Sequence, residues 1–247
     1  VGKYANQYFE HVEAMLQQVK ESQMAKIEEA ADAFVQSIKN GGTLYAFGAS
    51  HAGIIAEEMF YRTGGLALIN PIFNPTLMLN TKPVTLTSQV ERVEGFGKVM
   101  FDSVNAKKGD TILIHSVSGR NAAAIDMALA AKEAGVTVIA LTNMTYSSQV
   151  TSRHTSGKKL YEIADIVIDN QGDFEDAAIQ VEGMEQKTGP TSTVTGAVIA
   201  NAIVIETVEK LIKSGFIPPV FHSANVDGGD EFNKRIINEY KDRITYI

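Results

Sequence analysis

The sequence predicts an α/β protein: a doubly wound, five-stranded parallel sheet, preceded by a long helical segment and followed by a helical tail. Three observations predict it. Five short runs are almost entirely apolar, as expected for strands buried on both faces. Segments with helical spacing of apolar residues alternate with them. Two of the runs end in glycine–serine turns that lead at once into a helix. Right-handed crossovers then wind such a sheet in both directions.

The elements follow in order. Tyr4, Tyr8, Val12, Met15, Leu16 and Val19 recur at helical spacing, as do Ile27, Ala31, Phe34, Val35 and Ile38. They predict one long helix over residues 4–39, or two joined near Glu21-Ser22, ending at Gly41-Gly42. The segment carries four lysines against six acids, so it reads as core cover or subunit packing, not as a DNA-reading pair. Strands are expected at Thr43–Phe47, Leu66–Asn70, Thr111–His115, Val136–Leu141 and Ile163–Ile168. Helices are expected over Ala52–Arg62, Ser88–Asn105, Asn121–Ala134 and Val194–Lys213. In the tail, Phe232, Ile236, Ile237 and Tyr240 line one face of a last helix that runs to Arg243. The chain thus divides into residues 1–40, a central domain over 41–215, and a tail over 216–247.

Composition narrows the function. A net charge of −7 argues against a nucleic-acid surface. The absence of cysteine removes disulfides, thiol nucleophiles and thiolate metal sites. The five histidines show no metal-ligand spacing, and Asp173-Phe-Glu-Asp176 reads as a solvated turn, so no metal and no cofactor are expected. The start lacks a signal-peptide pattern, and no apolar run reaches the roughly 18 residues of a membrane span. A cytoplasmic protein without a membrane partner is the expectation.

The two turns are the chemical signal. Gly48-Ala-Ser50-His51 and Ser116-Val-Ser118-Gly119-Arg-Asn121 each place small, hydrogen-bonding residues between a strand and a helix start. Unpaired N–H groups and the positive end of a helix hold a phosphate there without a cationic side chain. A Walker loop is excluded, since no Gly-Lys-Ser/Thr occurs, and the dinucleotide spacing Gly-x-Gly-x-x-Gly is absent. The bland alternative for Ser50 and Ser118 is helix capping.

These turns carry a resemblance. Phe47-Gly48-Ala-Ser50 resembles the first phosphosugar loop of the sugar isomerase (SIS) domain family. Ser116-Val-Ser118-Gly119, with Ala131-Lys132-Glu-Ala-Gly135 and Val138-Ile-Ala-Leu-Thr142, is similar to that domain's second half. Lys159-Leu-Tyr-Glu-Ile-Ala164-Asp165-Ile-Val-Ile-Asp169 resembles its last core strand. The resemblance spans about residues 35–215, and within the family the long amino-terminal helix and overall size are similar to those of phosphoheptose isomerases and N-acetylmuramic acid 6-phosphate etherases. It implies a flavodoxin-like fold, a phosphorylated sugar as ligand, and a homodimer or homotetramer.

It also implies roles. Gly48, Ser50, His51, Ser116, Ser118, Gly119 and Asn121 would surround the phosphate, although the family usually has Ser or Thr where this chain has Asn121. Ser192 and Thr193, in Thr188-Gly-Pro190-Thr-Ser192-Thr193, would close the sugar pocket. An aldose–ketose isomerase needs a carboxylate base near the carbon that loses its proton. Glu58 is the candidate, with Glu182 and Glu185 behind it, while Glu57 reads as a surface or dimer-contact carboxylate. His222 would complete a neighbouring subunit's pocket. His115 reads as a core histidine or as a support for the site, and Arg62 and Arg120 as solvated charges. A phosphosugar sensor and an amino-sugar-phosphate etherase or lyase are the alternatives to the isomerase, and a structural oligomer with a vestigial pocket is the bland one.

Overall fold

The computed structural model describes residues 2–247. The first helix, α1 (Lys3–Lys39), is a single unbroken rod of 37 residues. Its second half is amphipathic, with Ile27, Ala31, Phe34 and Ile38 buried. Its first half leans on a distant loop: the Tyr8 hydroxyl donates to Pro190 O at 2.7 Å, and His11 Nε2 lies 2.6 Å from Asp173 Oδ2.

After α1 come β1 (Leu44–Gly48), α2 (Ile54–Met59), β2 (Ile69–Pro71), α3 (Leu86–Val90), α4 (Phe96–Asp102), β3 (Thr111–His115), α5 (Ala122–Glu133) and β4 (Thr137–Thr142). Then follow the single turn α6 (Met144–Ser147), β5 (Ile166–Asp169), α7 (Ser192–Lys213) and α8 (Gly229–Glu239). All neighbouring strands are parallel, in the order β2-β1-β3-β4-β5. This is the flavodoxin-like order, and its switch point lies between β1 and β3.

Alternation along each strand sorts the core into two layers. Leu44, Ala46, Leu113, Ile139, Leu141, Ile166 and Ile168 face one side, under α1, α2, α7 and α8. Tyr45, Phe47, Ile112, Ile114, Val138 and Ala140 face the other, under α4 and α5. The tail packs on its own core. Ile236 and Ile244 are buried, and Asn70 on β2 takes Thr245 N at 2.6 Å and gives to Arg243 O at 2.9 Å.

Several elements differ from the sequence expectation: β2 starts at Ile69 and β5 at Ile166, α8 ends at Glu239, and two helices differ more. The helix expected over Ser88–Asn105 is two short ones, broken at Gly95 with φ +85°. Tertiary contacts cause the break. Gly95 N donates to Asp126 Oδ2 on α5 at 2.7 Å, and a Cβ on Gly97 would lie 2.1 Å from Ala123 O. The helix expected over Ala52–Arg62 starts as a 3₁₀ turn at Ser50–Gly53, and α2 proper has only six residues.

Candidate functional site

A cleft of about 200 Å³ opens at the carboxyl edge of the sheet, at the switch point between β1 and β3. Ser50, His51, Ser116, Ser118 and Asn121 all line it, so five of the sequence candidates meet in one place. Glu91, His115, Tyr146 and Asp176 line it as well.

The first turn is shaped by backbone crowding. A Cβ on Gly48 would lie 2.3 Å from Ala52 O, so only glycine lets the chain fold back there. Ser50 then adopts φ +56°, a left-handed conformation that costs a side-chain-bearing residue about 1–2 kcal/mol. A strained serine on the wall of a cleft points to a constraint from function.

The second turn is held by its carbonyls. Thr142 Oγ1 donates to Ser116 O at 2.7 Å and to Val117 O at 3.1 Å. Asn143 N donates to Val117 O at 3.1 Å, and Leu160 N to Gly119 O at 2.9 Å. Gly119 has φ +60°. The N–H groups of residues 117–122 find no acceptor among the described residues, and neither do the hydroxyls of Ser50, Ser116 and Ser118. A row of unpaired N–H groups opening the twelve-residue α5 is an anion-binding nest. Asn121 does not cap α5 with its side chain; its Oδ1 accepts from Arg153 Nη1 at 3.1 Å.

Three titratable side chains complete the cleft. His115 is 1% exposed. Its Nδ1 faces Ala52 O at 3.0 Å, so Nδ1 carries the proton and Nε2 is left as a lone pair. Burial pushes its pKa down to about 4, against the opposing pull of Ala52 O and Asp176, and it is neutral at pH 7. Nε2 is enclosed and has no partner. Asp176 Oδ1 accepts Thr191 N at 3.1 Å and Ser192 N at 2.9 Å, and its Oδ2 accepts Ser192 Oγ at 2.6 Å. It therefore caps α7 from a distant loop and corrects the reading of Asp173–Asp176 as a solvated turn. Asp173, in the same turn, is taken by His11. Glu91 follows α3. Burial raises its carboxyl above the usual range, against the opposing effect of Arg92, Asn121 and Arg153.

Other candidates stand elsewhere. Gly48 and Glu57 face a smaller recess beside the cleft, with Phe73 and Asn74. Glu58 is paired with Arg62, three residues past the end of α2, and its Oε1 accepts from Asn201 on α7 at 2.9 Å. Ser192 is buried against Asp176, and Thr193 is half-buried on the next position of α7. His222 is exposed, with its ring 4.7 Å from that of Phe232. The residues that the sequence reading passed over are Glu91, Tyr146 and Arg153, and Asp176 it read as solvated. None sits in a motif; only the fold brings them to the turns.

A family model for the SIS domain matches residues 7–143. The chain belongs to the SIS domain family. The SIS match takes in α1, both turns and β4, which is the half of the fold that builds the cleft. The chain is also 52% identical to a UPF0309 protein of Shouchella clausii, over 99% of each chain, and 50% identical to one of Oceanobacillus iheyensis at the same coverage. Among solved structures it is similar to a phosphoheptose isomerase of Francisella tularensis, with TM-score 0.55 and 18% identity over 83% of this chain and 96% of that one. The sugar isomerase domain of an RpiR transcription factor of Sphaerobacter thermophilus has TM-score 0.51 and 15% identity over 97% and 99%. At these identities the two solved SIS structures speak for the fold. Among the described residues, no helix is long and apolar enough to cross a membrane, and no cluster of three His, Asp or Glu is placed to hold a metal ion.

Proposed function

We propose that this chain binds a phosphorylated sugar in the cleft and interconverts its aldose and ketose forms. The observation that carries the binding half is the nest: among the described residues the N–H groups of 117–122 find no acceptor, Val117, Ser118 and Asn121 of that run line the cleft, and the hydroxyls of Ser50, Ser116 and Ser118 on the same cleft are unpaired. The relatives' fold supports a phosphosugar as the ligand.

Glu91 takes the role of base in this reading. It is the carboxylate on the cleft with its pKa raised by burial, and its hydrogen-bond partner there is the Asn121 side chain alone. Asp176 is occupied in capping α7. In the reaction Glu91 takes a proton from the carbon beside the carbonyl and gives it back to the neighbouring carbon. The hydroxyl proton passes between the two oxygens of the enediol, and nothing is oxidised or lost overall. Neutral His115 supports the wall of the cleft through its hydrogen bond to Ala52 O. Glu58 keeps a different place, beside α7.

The reading includes self-association. Val194, Val198, Ile205 and Ile212 recur on the outer side of α7 and stay 39–66% exposed, which is the pattern of a helix that packs on a second copy. Light scattering at micromolar concentration is expected to give a dimer or tetramer, and a monomer would remove this part.

A thermal-shift screen of sugar phosphates against their unphosphorylated sugars tests the binding. Stabilisation by phosphorylated members alone is expected. Hits are then followed for turnover in the parent, Glu91→Gln and Glu58→Gln chains. Binding without turnover in the parent would leave a phosphosugar sensor. No shift by any member would sink the proposal.

A further inference from the structure

We propose that Arg92, Arg120 and Arg153 form a second anion subsite on the rim of the cleft, so that the sugar phosphate bound here carries a second acidic group. The inference rests on the phosphosugar reading above and narrows its substrate class.

The three guanidiniums come from three segments. Arg153 N donates to Arg120 O at 2.9 Å, which ties the 148–159 loop to the second turn. Arg153 Nη1 reaches Asn121 Oδ1 on the cleft wall. Arg92 follows Glu91, which shares that wall with Asn121, and the Glu91 carbonyl accepts Ala123 N at 3.0 Å, fixing the α3–α4 connection to the start of α5.

None of the three arginines forms an ion pair among the described residues. The nearby acids are engaged otherwise. Glu94 accepts Thr155 N and Oγ1, and Asp126 takes Gly95 N and His154 Nε2. Glu91 is left as the carboxylate that Arg92 and Arg153 face. Burial first, and then the charges of Arg120 and Arg92, make the charge on Arg153 harder to hold. Arg120 Nε is enclosed without an acceptor, while Nη2 of the same group donates to Thr151 Oγ1 at 3.2 Å. In a chain with net charge −7, three crowded and unpaired guanidiniums with an idle buried donor are an unfilled demand for an anion.

The demand is distinct from the nest. The nest offers N–H groups and hydroxyls between Ser50 and Asn121, and the arginines do not line the cleft itself. They stand past Asn121 and Glu91. A sugar whose phosphate sits in the nest extends past that wall, where a second phosphate or a carboxylate meets a guanidinium fork.

Two ligand pairs test this by calorimetry at low and high salt: fructose 1,6-bisphosphate against fructose 6-phosphate, and 6-phosphogluconate against glucose 6-phosphate. The expected result is a preference of about tenfold or more for the doubly acidic member of at least one pair, shrinking with salt. The pair that shows it tells phosphate from carboxylate. In an Arg92→Gln/Arg153→Gln chain, the preference is expected to fall to near unity while the monophosphate still binds. Both arginines are exposed, so an unchanged melting temperature is expected. Equal affinities within both pairs would overturn the subsite. So would a preference that survives the double substitution, or an equal loss for both members, which would assign the arginines to the first phosphate. Absence of binding by all four ligands would instead strike the phosphosugar reading beneath it.

Discussion

The two turns that build the cleft share a sequence pattern and differ in physics. The first, after β1, feeds a 3₁₀ turn and a six-residue helix. It has little helix dipole to offer and works through shape: a glycine with no room for a Cβ and a serine with left-handed backbone. The second, after β3, opens the twelve-residue α5 with a row of unpaired N–H groups and arginines behind it. One turn is a strained wall and the other is the anion seat. Glycine and serine between a strand and a helix therefore name a location, and the length of the helix decides how much charge it can hold.

Several experiments break or sharpen this contrast. The largest effect concerns chemistry beside the second turn. Glu91→Gln is expected to lower turnover by about 10²–10⁴-fold, the range for a general base, with phosphosugar affinity retained. Equal activity would remove Glu91 from the mechanism.

His115 links the two turns, and pH reads that link. Its folded pKa of about 4 lies below the ordinary value of 6.5, so between the two the unfolded chain binds more protons. Stability is complete above about pH 6.5 and falls as the pH drops toward 4, by about 3 kcal/mol in all. Denaturant unfolding at pH 7, 5.5 and 4 is expected to show this slope, and His115→Gln is expected to flatten it.

Glycine substitutions compare the backbones directly. Gly48→Ala drives a Cβ into the Ala52 carbonyl, a backbone atom that cannot step aside, and is expected to cost about 3 kcal/mol. Gly119→Ala meets Ser147 Oγ at 3.0 Å and a positive φ, and about 1–2 kcal/mol is expected. The reverse order in unfolding experiments would undo the assignment of the first turn as the crowded one.

The smallest effects separate binding from strain. Ser118→Ala is expected to weaken phosphosugar binding by about 1.5–3 kcal/mol, the worth of a hydrogen bond to a charged group. Ser50→Gly relieves the left-handed strain and adds unfolded-state freedom, so stability should stay within about 1 kcal/mol of the parent. Its phosphosugar affinity should still fall. A gain in stability with full affinity would show that Ser50 is not there for the ligand.

Much of the fold was legible without coordinates. Four of the five strands are short, mostly apolar runs, and that signal is local; β2, Ile69-Asn70-Pro71, is the exception. The helix over Ser88–Asn105 was misread for a physical reason. Its apolar spacing is helical, and the break at Gly95 is set by an Asp126 carboxylate 31 residues away and by the close approach of α4 to α5 at Gly97. Five residues of the two turns were also legible, since a turn's residues sit together in the chain. Glu91, Asp176 and Arg153 were not. Each lies in a stretch with no periodicity or motif of its own; Glu91 and Asp176 reach the cleft, and Arg153 its Asn121 wall, only once α5 and α7 have packed on the sheet.

By itself, then, the sequence determined the alternation of strands and helices, the parallel sheet, and the two turns at its carboxyl edge, because backbone preference and burial pattern act over a few residues. The tertiary structure alone decided which carboxylate faces the cleft, that His115 is neutral, and that three arginines from separate segments stand together. Those outcomes depend on burial and on charges brought near through space, and neither can be read along the chain.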